Sequence, residues 1–320
     1  MKNKVCFKLM IVFFVIVSST ILKSQDWEKF DIHILNSLNT QYMDYSPTIS
    51  MDGRTLYFIS NRKGTKWNVE TNEFSHDIFV ARKNHLLDLN FTSISNYDTS
   101  SFWGDLGINT SFNEGGITFS ADERIAYFTG CNRSDGFGSC DLYSFKINSA
   151  GISQPVNLGK DINSSNWDSQ PSLSQSSKRL YFASNRPGPN GIRNYDIWYC
   201  DYDFENEKFN RPKNLSEINT SGRENSPFIA DDELTLYFSS DSHSPNYGGY
   251  DIYSTKFDPE TNTWSKPESL GTKINSIEDD LFFSISNDGK VCYFSSLRRN
   301  IKGYKGNYDI FMGINTTSIK

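Results

Sequence analysis

Short apolar runs of five to eight residues alternate with polar, turn-rich stretches along the chain from about residue 27 onward. No segment longer than about ten residues carries the 3.6-residue period of an amphipathic helix. Five runs stand out: Leu56-Tyr57-Phe58, Ala126-Tyr127-Phe128, Leu180-Tyr181-Phe182, Leu236-Tyr237-Phe238 and Cys292-Tyr293-Phe294. They are apolar at consecutive positions, so both faces of each strand must be buried, as in a sheet stacked between two others. An asparagine precedes the Phe of every run at one unvarying offset: Asn39, Asn109, Asn163, Asn219 and Asn275. Its amide suits a turn, where it bonds backbone groups. A carboxylate follows each asparagine at a fixed distance, as Asp44, Glu114, Asp168, Glu224 and Asp280. Beyond each run and a Gly- or Asn-rich turn, a further strand opens with Asp77, Asp141, Asp196, Asp251 or Asp309. These aspartates are nearly evenly spaced, and the differences in length fall in turns and loops.

With the strand-like piece ahead of each asparagine, every unit holds four short strands, joined by turn chemistry such as Asp52-Gly53 and Asp288-Gly289. Four-stranded sheets recurring at this period and buried on two sides predict an all-β, five-bladed β-propeller with antiparallel blades. Trp27 to Leu35 comes before the first unit, and the last unit stops at Ile314 without its fourth strand. Pairing these two segments closes the ring and removes two sheet edges. Six blades is the alternative architecture. The only spare material, Thr65 to Ser75, is too short for a blade and reads as a loop insertion.

The repeat residues, clearest in Leu270-Gly271, Ile274-Asn275-Ser276, Asp280, Asp288-Gly289, Tyr293-Phe294 and Asp309-Ile310-Phe311, resemble the TolB-type, WD-repeat-like propeller repeat. The resemblance is strongest to copies in envelope proteins of Bacteroidota and covers residues 27 to 314. It implies the propeller fold and a periplasmic or surface module that binds another protein. Such copies are often joined to OmpA-type peptidoglycan-binding domains, a part this sequence does not carry.

Composition narrows the function classes. Residues 1–25 hold four lysines and no acid, so a net charge of −6 becomes −10 for the remainder. A body this acidic does not suit nucleic acid, whose affinity comes from Lys and Arg. Cationic partners, metal ions or basic peptide surfaces match better. Lys2 and Lys4 followed by the apolar Leu9 to Val17 read as a secretory signal peptide over residues 1–25, with residues 26–320 as a single exported propeller domain. The apolar stretch is short for a membrane crossing, so the mature chain is expected in the periplasm or outside the cell, monomeric and not membrane-spanning. Export permits disulfides, and Cys131 and Cys140 flank one hairpin turn and are expected to bond. Cys200 and Cys292 lie in apolar strands and read as core thiols.

Candidate chemistry is sparse. No nucleophile elbow, zinc-binding helix motif, phosphate loop or Cys/His cluster occurs in the sequence. Five-fold closure would put Asp44, Glu114, Asp168, Glu224 and Asp280 in a ring near one channel mouth. Two readings stay open: an electronegative mouth that takes a cation or basic segment, or carboxylates that staple their own loops. The strand-opening aspartates are expected to pair with Arg62, Arg133, Arg186 and Arg298, with Asp241 breaking the pattern in the fourth unit. Exceptions within a repeat point to function, so Asp241, His243 and Tyr247 form one candidate contact loop and Trp67 another. The expected function is a non-enzymatic scaffold for an envelope or secreted protein, using one propeller rim and needing no cofactor. The alternative is a glycoside hydrolase with carboxylates at the channel mouth.

Overall fold

A computed structural model describes residues 25–68, 71–100, 107–149, 151–189 and 191–318. The expected export segment lies outside the described residues apart from Gln25. Five antiparallel sheets radiate from one axis as a five-bladed β-propeller. Blade 1 runs outward through Asp44–Ile49, Thr55–Ser60, Asp77–Arg82 and Ser93–Asn96. Blades 2, 3 and 4 begin with Glu114–Phe119, Asp168–Leu173 and Glu224–Ile229. Their outermost strand is split into two short pieces, such as Lys208–Phe209 and Lys213–Asn214 in blade 3, both paired with Asp196–Asp203. Helix is limited to single turns at Trp27–Lys29, Tyr97–Ser100 and Thr316–Ser318 among the described residues.

Blade 5 shows the closure. Asp280–Ile285, Val291–Ser296 and Asp309–Asn315 come from the chain's end, and Phe30–Ile34 supplies the fourth strand, with Ile32 opposite Gly313. Asn39 adds a second tie: its amide donates to the Ile310 carbonyl (2.9 Å) and accepts from the Ile310 N–H (2.8 Å). The other four repeat asparagines clasp Ile78, Leu142, Ile197 and Ile252 of the preceding blade in the same way. Each amide thus acts as one more strand residue between blades, satisfying two backbone groups that burial would otherwise orphan.

Consecutive apolar residues on the second strand serve two interfaces. Leu180 and Phe182 enter the core between blades 2 and 3, while Tyr181 enters the core between blades 3 and 4. Five separate hydrophobic clusters result, each filling one blade–blade interface. Between Lys66 and Ser75 the structure has a small ribbon, Trp67–Asn68 against Glu73–Phe74, where the sequence suggested a plain loop. No helix among the described residues is long and apolar enough to cross a membrane.

Candidate functional site

Every inner strand starts at one face, here the upper one, which also carries the turns between second and third strands and the connections between blades. The five repeat carboxylates head the inner strands, but they are buried rather than displayed at a mouth. Asp168 accepts from the Ser164 N–H (2.6 Å), the Ser164 and Ser184 hydroxyls (2.8 and 2.5 Å) and the Arg186 guanidinium (2.6 Å). Arg62 with Asp44 (2.5 Å), Arg133 with Glu114 (3.1 Å) and Arg298 with Asp280 (2.7 Å) repeat the pairing. Of the two readings the sequence leaves open, these bonds match the second, in which each carboxylate staples its own blade: protein donors meet the charge that a bridging ion would otherwise serve. Among the described residues no group of three or more His, Cys, Asp or Glu is placed to hold a metal.

The pairing of arginine with the strand-opening aspartates is corrected. Asp141 accepts instead from the Phe137 and Gly138 N–H groups of its own turn and from Asn157. Asp251 and Asp309 take the N–H of Tyr247 and of Lys305. Nor is Asp241 the residue that replaces arginine in blade 4. It accepts from the backbone N–H (2.8 Å) and Nε (2.7 Å) of Arg223, while His243 fills the arginine's place. His243 Nε2 lies 2.8 Å from the Ile218 carbonyl oxygen and 3.9 Å from Glu224, as the arginines bridge the equivalent carbonyls and acids.

Burial leaves a titration signature. It pushes Asp77, Asp251 and Asp309 up to about 6 and Glu114 up to about 8, the latter in spite of Arg133. Desolvation also raises Glu224 and Asp280. A carboxyl that holds its proton more tightly folded than unfolded adds stability below its unfolded value, about 4, and loses it as pH rises through the folded value. His76, which burial holds below its usual range, opposes this as pH falls below about 6.5. Lys83, which burial pushes down to about 8, opposes it in the upper part of this range. Several carboxyls outweigh one imidazole and one ammonium, so the melting temperature is expected to be higher at pH 5.5 than at pH 8.5. Differential scanning fluorimetry across that range checks this, and a steady rise toward alkaline pH contradicts it.

What surrounds the upper end of the axis is aromatic and polar. The Tyr45 hydroxyl bonds His76 Nδ1 (3.0 Å), and its ring lies 6.5 Å from Tyr308. Tyr308 donates to Asp279 (2.8 Å), which also accepts the Tyr250 N–H (3.0 Å). Arg223 lies over the Tyr250 ring at 5.0 Å, and Trp167 meets Tyr195 edge-on at 5.2 Å. None of these residues stands out in the sequence, apart from the aromatic just before the strand-opening aspartate in Tyr195, Tyr250 and Tyr308. Below them the axis is narrow. Ser46, Gln170, Ser226 and Phe282 occupy left-handed conformations at inner-strand bulges and fill the axis together with Gly116, leaving a cavity of about 40 Å³. That is room for ordered water rather than a substrate.

Among the described residues the exposed large apolar side chains are more numerous on the upper face than on the lower, where Met51, Leu87 and Phe204 stand. Trp67, Phe137, Ile192 and Tyr247 stand in the second-to-third-strand turns of blades 1 to 4, and Ile277 in the connection to blade 5, each between 38 and 75 % exposed. The Cys131–Cys140 disulfide (Sγ–Sγ 1.98 Å) clasps the Phe137 turn. Cys200 and Cys292 are free and buried, their thiols pushed up to about 12 by desolvation.

Blade number, connectivity and closure define the class: a five-bladed β-propeller. No protein-family model and no curated protein matches the chain. Solved structures match it in fold. A glycoside hydrolase is 8% identical over 89% of this chain and 92% of its own, with a TM-score of 0.55. A thermostable family-43 glycoside hydrolase is 14% identical over 85% and 88%, with a TM-score of 0.50. A TolB candidate from Agrobacterium tumefaciens is 17% identical over 90% of each chain, with a TM-score of 0.47. At these identities the likeness is one of fold.

Proposed function

We propose that this protein is a non-catalytic scaffold that works outside the cytoplasm and binds a partner protein through its upper rim. One observation carries the reading: large apolar side chains recur blade after blade on that face, at Trp67, Phe137, Ile192, Tyr247 and Ile277, around an aromatic axis. Exposed apolar residues gathered on one face mark an interaction surface, and aromatic residues are the usual anchors. Export is supported by the charge and apolar pattern of residues 1–25 and by the disulfide, which suits an oxidising compartment.

The hydrolase-like fold does not favour catalysis. Glycoside hydrolysis needs one carboxyl to donate a proton and another, some 5 to 10 Å away, to act as base or nucleophile. Here the inner-strand carboxylates are committed to arginine, histidine and hydroxyl groups, and Asp279 to two tyrosines of the rim. The test is crosslinking capture from envelope fractions with the intact protein as bait. A variant with Trp67, Phe137 and Ile192 changed to serine should lose the captured partner at least tenfold, while Met51→Ser with Phe204→Ser on the lower face should retain it. Equal capture by both variants refutes the rim, and turnover of glycans by the wild type refutes the scaffold.

A further inference from the structure

We propose that a cavity between blades 4 and 5 on the upper face binds an extended acidic peptide segment of the partner, anchored by one large apolar side chain. The inference rests on the rim reading above and names the chemistry that part of the rim selects. The cavity measures about 510 Å³, within the range of ligand pockets. Three elements build it: the blade 4 turn with Tyr247, the connection Thr272 to Glu278, and the blade 5 turn with Arg299 and Ile301. Tyr247, Ile277 and Ile301 give it an apolar wall, and Ile277 is 75 % exposed, a cost the folded chain bears without a partner.

The walls are preformed. The Tyr253 hydroxyl lies 2.8 and 2.7 Å from the carbonyl oxygens of His243 and Pro245, and the Tyr247 N–H donates to Asp251 (2.6 Å), which fixes the turn. The turn also packs flat on the connection: a Cβ at Gly248 would lie 2.4 Å from the Ile277 carbonyl carbon. A groove held this way spends little ordering entropy on binding.

Charge chooses the occupant. Arg299 is 63% exposed and its ion pair, with Glu278, is long at 3.7 Å. Lys273 and Lys302 adjoin the lining residues Thr272 and Ile301, are exposed, and form no ion pair among the described residues. A cationic corner on a chain of net charge −6 attracts an acidic segment and turns away a second copy of the same acidic chain. An apolar side chain seated between Ile277 and Ile301 would bring a flanking carboxylate to Arg299, where it competes with Glu278, and the exposed Lys273 and Lys302 beside the lining add to the attraction.

The probe is a fluorescein-labelled nonapeptide of alternating Asp and Glu with a central Phe, titrated with the folded protein by fluorescence polarisation. Binding is expected at about 10–100 µM and to weaken several-fold from 50 to 500 mM salt. Ile277→Ser and Arg299→Glu, both exposed substitutions with unchanged circular dichroism, should each weaken it at least tenfold, as should replacing the Phe by Ala or the acids by Lys. No binding at 1 mM protein, equal binding of the Lys peptide, or indifference to both variants overturns the proposal, as does dimerisation through this face in light scattering. If partner capture survives Ile277→Ser with Arg299→Glu but is lost in the Trp67, Phe137 and Ile192 variant, the peptide site fails while the rim reading stands.

Discussion

Replacing Arg186 with methionine is expected to cost about 3–5 kcal/mol of folding free energy, the usual penalty for leaving a buried charge without its partner. Asp168 is fully buried, and no other cation among its partners can take over. Arg186 also donates to the Ile162 carbonyl (2.7 Å) and lies over the Phe182 and Trp198 rings at 5.1 and 5.2 Å, so the substitution orphans an acceptor as well. Adding Asp168→Asn should restore most of the loss, because the amide keeps its hydroxyl and N–H contacts without a charge to solvate. Equilibrium urea unfolding of the single and double variants measures this. A loss below about 1 kcal/mol for the single variant, in the range of a surface pair, would mean the bridge does not hold the blade.

That bridge was half legible in the sequence. The arginine, the inner-strand acid and the strand-opening aspartate all recur with one period, so spacing alone cannot say which acid the arginine meets. Register explains the ambiguity: Ser60 is opposite Asp44 on one side and Asp77 on the other, and Arg62 follows just beyond. What decides is the supply of partners, since both acids are buried: the turn's own N–H groups and the neighbouring asparagine serve Asp77 or its equivalents, which leaves the arginine to the inner acid. One signal was readable. Where the acid is glutamate, one methylene longer, its partner lies one position further along the chain than it does from aspartate, as Arg133 after Glu114 and His243 after Glu224. Counting from Glu224 by the glutamate rule finds His243 directly, and Asp241 is then free to pair with Arg223.

Blade number, strand order and ring closure were fully legible, because they follow from a repeated hydrophobic pattern and a leftover strand at each end. The upper rim was not. Its residues come together from five turns and connections of different lengths, and an aromatic residue such as Trp167 has no period of its own until the blades bring it round one axis. A repeat fixes what every blade needs for itself. It is silent on what five unlike turns do jointly, which is where a propeller's function resides.

Deleting residues 26–35 is expected to abolish the folded monomer outright, the largest effect of any change considered. The segment pairs with Asp309–Asn315 over five residue pairs and buries Phe30 and Leu35 completely, each worth about 1.5–3 kcal/mol of apolar transfer. Trp27 extends the contact across the interface to Tyr237 and Phe283, at 6.1 and 5.5 Å between ring centres. Gly313 is shaped for this strand: a Cβ there would lie 2.9 Å from Ile32 Cδ1 and 2.6 Å from Cys292 Sγ. Without the segment, Ile310 to Ile314 becomes a free edge that is apolar on both faces, a template for pairing with other chains. The shortened protein should therefore aggregate or elute as large species in size-exclusion chromatography. A synthetic peptide of residues 26–36 added during refolding should recover monomer, because the missing strand need not be covalently attached to fill the blade. A truncated chain that elutes as a folded monomer with a melting temperature within about 3 °C of the intact one, a shift worth less than about 1.5 kcal/mol, would mean that the ring does not depend on this strand.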